Sequence, residues 1–102
     1  MSQIRRLVLD VLKPHQPTML TLADKLGDLE GVHGVDITLF EIDYKVENIK
    51  ITLEGDDIDF QDVAEVIQDS GGSIHSTDKV STGRKLIDEA ETPQDAGARW
   101  MC

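Results

Sequence analysis

Three carboxylates within "FEIDYKVENIKITLEG" (residues 40–55) are the side chains in this sequence with the clearest chemistry. The segment alternates apolar and polar residues in two runs, the pattern of a β-hairpin. A tight turn at Glu47–Asn48 sets Val46 opposite Ile49, Tyr44 opposite Ile51 and Ile42 opposite Leu53, so each apolar residue meets another. On the alternate face the same register sets Lys45 against Lys50, Asp43 against Thr52 and Glu41 against Glu54. Like charges facing each other across a ladder destabilise it. Glu41, Asp43 and Glu54 would then present hard oxygen donors suited to Ca²⁺, Mg²⁺ or Mn²⁺, completed by water or a neighbouring chain. The other reading is a solvated or subunit-contacting face, its repulsion eased by water, salt or an arginine such as Arg6. Chance clusters are common in a chain this acidic, and both readings stand on the sequence.

The other reactive side chains do not combine into a catalytic set. His15 and His33 fall in loops. In "IHSTD", His75, Ser76 and Asp78 lie within four residues of one strand, and alternation sends His75 to the face away from the other two, so they cannot form a triad. "GVHGV" lacks the G-x-G-x-x-G spacing of a phosphate loop, and "SGGS" (70–73) reads as a helix end. Cys102, the single cysteine, is the last residue, where a positive, structured setting for an activated thiol is unexpected. With no activated nucleophile, no acid/base pair of recognisable spacing and no cofactor loop, the chain is expected not to be an enzyme. Trp100 reads equally as an aromatic that docks on a partner and as a loose terminal residue.

The whole chain bounds these readings. Its 102 residues fit one domain, and 39% hydrophobic content suits a globular fold. Twenty acidic residues against ten basic ones give a net charge of −10, which repels phosphate backbones and argues against nucleic acid as a partner. That balance fits a salt-adapted proteome or simply an acidic cytoplasmic protein. No apolar run approaches the roughly 18 residues of a membrane span. "RRLVLDVLK" resembles the start of a signal peptide, but Asp10 interrupts it and no small-residue cleavage site follows. One cysteine cannot form an internal disulfide, which suits a reducing compartment, and the expected location is the cytoplasm.

Strand and helix signals alternate along the chain. Residues 4–12 read as a strand, with Leu7, Leu9 and Val11 on one face and Arg6, Val8, Asp10 and Leu12 on the other. Residues 18–31 read as a helix capped by Thr18 and ended by Gly31, with Met19, Leu22, Ala23, Leu26 and Leu29 on one side. In residues 31–46 Val35, Ile37 and Leu39 alternate at odd positions before the phase switches to even ones, which predicts a bulge near Leu39–Phe40. Residues 48–55 form the next strand. A second helix falls within 56–72, capped by Asp59, striped by Phe60, Val63, Ala64 and Ile67, and terminated by Gly71 and Gly72. Residues 73–80 form a polar, edge-type strand. The order is that of an α+β, ferredoxin-like βαββαβ sandwich: a four-stranded antiparallel sheet with two helices on one face and the other face bare. The domain spans residues 1–83. Residues 84–102 form an acidic, partly flexible tail, with a short helix expected at 85–90.

"PHQPTMLTLADKLGDLEGVHGVDITLFEID", "IKITLEGDDIDF", "IHSTDKV" and "ETPQD" resemble the archaeal domain-of-unknown-function 211 family. The resemblance reaches to about Asp95, and "EGDDID" and "IHS-D" are its most specific parts; Thr77 departs from the apolar residue expected there. It implies a small archaeal protein of ferredoxin-like fold that assembles with copies of itself, in rings. It brings no activity, and therefore no catalytic residues. A regulatory domain that senses a small metabolite between subunits is the alternative, on analogy with the fold alone.

Overall fold

The computed structural model describes residues 3–84. The expected tail and its helix, with Trp100 and Cys102, lie outside the described residues apart from Arg84. The elements are β1 (Ile4–Pro14), α1 (Met19–Gly27), β2 (Val32–Ile42), β3 (Val46–Gly55), α2 (Phe60–Asp69) and β4 (Ser73–Thr82). They form one antiparallel sheet in the order β2-β3-β1-β4, with α1 packed over β2 and α2 over β4. This is the expected ferredoxin-like architecture, with β1 and β3 central and the polar β4 at an edge.

Alternation along the two central strands builds the core. Leu7, Leu9 and Val11 of β1 and Ile49, Ile51 and Leu53 of β3 point to the helices and are buried. Leu22 and Leu26 of α1 and Val63 and Ile67 of α2 close over them. The opposite face carries Val8 and Leu12 among polar groups and has no layer above it among the described residues.

Local signals set the ends of the helices. The Thr18 hydroxyl accepts from the Thr21 amide, and the Asp59 carboxylate accepts from the amides of Gln61 and Asp62, as N-caps do. Gly71, at φ +79°, ends α2 in the left-handed conformation that favours glycine, while the Gly72 amide returns to the Ile67 carbonyl. Helix α1 is shorter than expected. It ends at Gly27 with Asp28 as its cap, and Gly31 instead makes the turn into β2 at φ +87°. A glycine in that last stretch weakens the helix by about 1 kcal/mol relative to alanine.

Candidate functional site

The β2–β3 hairpin does not have the register expected for it. Its turn is Asp43–Val46, centred on Tyr44–Lys45 and three residues earlier than the expected one centred on Glu47–Asn48. Leu39 faces Ile49, Ile37 faces Ile51 and Val35 faces Leu53, so the inward faces again pair apolar with apolar. Two registers satisfied that criterion, and turn chemistry separates them. Asp43 folds its own carboxylate over the turn, accepting the amides of Lys45 at 2.7 Å and Val46 at 2.9 Å. Aspartate at the head of a turn is favoured for this bond, and a Glu-Asn turn has no equivalent. The expected break in phase is real: pairing slips between Leu39 and Glu41. Its consequence is the reverse of the one expected, since Ile42 and Tyr44 project outward, 58% and 85% exposed.

The corrected register separates the three proposed metal ligands. Glu41 faces Asn48, while Glu54 faces Gly34 on one side and Arg6 on the other. Asn48 and Glu54 are six residues apart on β3, about 20 Å along a strand. Glu54 accepts from Arg6 Nε at 2.9 Å, and Asp43 is committed to its turn. Among the described residues no three carboxylates, imidazoles or thiols come together as a metal would need, and the register sets Glu41 and Glu54 toward opposite ends of β3.

What gathers at this end of the sheet instead is a mixed-charge cluster. Lys13, the last residue but one of β1, has its side chain fully buried on the helix side. Its ammonium donates to Glu47 Oε1 at 2.9 Å and to the Pro14 carbonyl at 2.8 Å. Lys13 and Glu47 are direct cross-strand partners, which is why the pair closes without distortion. Hydrogen bonding from Lys13 holds the Glu47 carboxyl below its ordinary acidity value, with burial opposing and His15 adding to the effect. His15, in the loop after β1, brings Nδ1 to 3.3 Å from Glu47 Oε2 and Nε2 to 2.7 Å from the Asp43 carbonyl oxygen. The Asp43 carboxyl is also more acidic than usual, chiefly through the Val46 amide and then that of Lys45. The sequence pattern places His15 in a loop and ends the first strand at Leu12, whereas β1 runs on through Lys13 to Pro14. The period-2 pattern did place Lys13 in phase with Leu7, Leu9 and Val11, and that was the available signal for its burial.

Around this cluster the hairpin end is apolar and exposed. Leu39, Phe40, Ile42 and Tyr44 follow one another along edge strand β2 and into the turn, and Leu20 on α1 is 80% exposed. The Lys50 ammonium lies 5.1 Å from the centroid of the Phe40 ring, and that of Lys45 lies 5.4 Å from the Tyr44 ring. A shallow cleft of about 190 Å³ runs beside the turn, lined by Leu12, Glu41, Ile42, Asp43, Val46 and Asn48. A second, acidic cleft of about 300 Å³ is lined by Glu30, Gly31, Asp56, Asp57, Asp59 and Asp62. Both lie at or below the small end of ligand pockets, roughly 300–1,000 Å³. His33 is exposed at the start of β2, and Ser76 donates to Asp78 at 2.7 Å on β4.

These features define a compact ferredoxin-like domain with a buried ion pair and an apolar, exposed hairpin end. The chain belongs to the DUF211 family, described as "Uncharacterized ArCR", whose profile matches residues 5–96. It is 50% identical over 95 residues to the uncharacterized protein MJ0319 of Methanocaldococcus jannaschii, covering 93% of this chain and 98% of that one. It is thus a member of an uncharacterised archaeal family. No helix among the described residues is long and apolar enough to cross a membrane.

Proposed function

We propose that this protein is a non-enzymatic, self-assembling module of the cytoplasm whose contact surface is the end of the β2–β3 hairpin. One observation carries the reading: Leu39, Phe40, Ile42 and Tyr44 stand exposed in succession along a sheet edge and its turn. Exposed apolar side chains on an edge strand favour association, because pairing removes them from water and satisfies the open ladder. The sheet also has two unlike edges, β2 and β4, and joining unlike surfaces head to tail closes a ring when the rotation permits. The non-enzymatic part is supported by the work its charged groups already do: Asp43 caps a turn, Glu47 holds Lys13 and Glu54 takes Arg6.

Native mass spectrometry at micromolar concentration tests the reading. The wild-type chain should appear as one closed oligomer, and the Ile42→Asp, Tyr44→Ser double variant should dissociate while keeping its thermal stability. A wild-type chain that is monomeric at that concentration refutes it.

A further inference from the structure

We propose that His15 is a protonation-dependent latch that ties the β2–β3 turn to the body of the fold. Its consequence for assembly rests on the reading above, whereas the latch itself does not. The imidazole places Nε2 2.7 Å from the Asp43 carbonyl oxygen and Nδ1 3.3 Å from Glu47 Oε2. A carbonyl oxygen can only accept, and so can an ionised carboxylate. Two acceptors call for two donors, and only the imidazolium has an N–H on both nitrogens.

Loss of the proton has a defined result. The shorter bond goes to the Asp43 carbonyl, so Nε2 keeps its hydrogen and Nδ1 turns a lone pair toward the Glu47 carboxylate. Glu47 is not free to retreat, because Oε1 is bonded to the buried Lys13 ammonium. The repulsion is therefore relieved by a shift of the ring and of the turn bonded to it. Among the described residues the charged groups set against the ring are Glu47 from β3 and the Asp43 carboxylate from the turn, with Lys13 from β1 behind Glu47. The first two are anions, and Lys13 is a cation held on the far side of Glu47. At the adjoining start of α1 stand Thr18 and Thr21, which do not titrate near neutrality. The latched segment carries Tyr44 and follows Ile42, so protonation would order the contact surface before it meets a partner, lowering the ordering cost of association.

Nuclear magnetic resonance on the full, ¹⁵N-labelled chain between pH 5 and 8.5 reads the latch directly. At high pH the His15 ring should be the Nε2–H tautomer. The Tyr44 amide nitrogen, which shares a peptide with the Asp43 carbonyl, should move with the same midpoint as the His15 ring. In His15→Ala that movement should vanish, and in His15→Gln, which retains a donor but no titration, the turn should hold one position throughout. An Nδ1–H tautomer, or a Tyr44 amide that still titrates in His15→Ala, overturns the proposal. In parallel, association should be about three- to tenfold weaker at pH 8 than at pH 5.5, the share of one exposed charge-assisted hydrogen bond, and the ratio should flatten in His15→Ala. Equal association at both pH values removes the link to assembly. A monomer at both removes the assembly reading, and the amide titration still decides the latch.

Discussion

Removing the acceptor that neutralises a buried ammonium is the perturbation this fold should feel most specifically. Lys13 has no exposed side-chain surface, and Glu47 keeps only 14% of its own. Breaking a buried ion pair by deleting one partner costs about 3–5 kcal/mol, because the remaining charge stays desolvated. Here the Pro14 carbonyl still accepts from the ammonium, and water can reach the Glu47 side, so Glu47→Gln should cost about 2–3 kcal/mol. For a domain this size, that lowers Tm by about 10–20 °C. Lys13→Met removes the charge that needs the partner and leaves Glu47 near solvent, with a cost under about 1 kcal/mol. The double variant should then regain most of what Glu47→Gln loses, a coupling of about 2 kcal/mol. Urea and thermal unfolding followed by circular dichroism at pH 7 measure all three. The acid limb checks the sign. Glu47 is held below its ordinary value of 4.5, so its contribution is complete above that value and is lost as pH falls through the lowered one. Glu47→Gln should flatten that limb, leaving the share due to Asp43, whose carboxyl is lowered by turn amides. A Glu47→Gln variant within about 0.5 kcal/mol of wild type, or a Lys13→Met variant that loses as much, would show that the pair is not desolvated as described.

Two further outcomes follow from backbone geometry. Gly55→Ala should destabilise the domain by at least about 3 kcal/mol, because its Cβ would collide with the Gly31 carbonyl oxygen, a backbone atom that cannot yield without moving the loop; chemical denaturation decides it. Asp59→Ala should cost about 1 kcal/mol by freeing the Gln61 and Asp62 amides at the start of α2, whereas Asp59→Asn should be nearly neutral, as thermal melts would show.

Sequence by itself determined the architecture. The order of elements, both N-caps, the bulge after Leu39 and the inward-facing Leu7, Leu9, Val11, Ile49, Ile51 and Leu53 all follow from periodicity and capping, which act over a few residues and are written locally. The hairpin register was different. Ile49, Ile51 and Leu53 can meet apolar residues in two ways, against Ile42, Tyr44 and Val46 or against Val35, Ile37 and Leu39, so hydrophobicity alone could not choose between them. The tertiary structure chose through the Asp43 turn and through the second neighbour of β3, since Arg6 claims Glu54 and Lys13 claims Glu47 from β1. Those partners lie 48 and 34 residues away in the chain. The fate of a carboxylate depends on which distant cation reaches it, and that is settled only when the central strands come together.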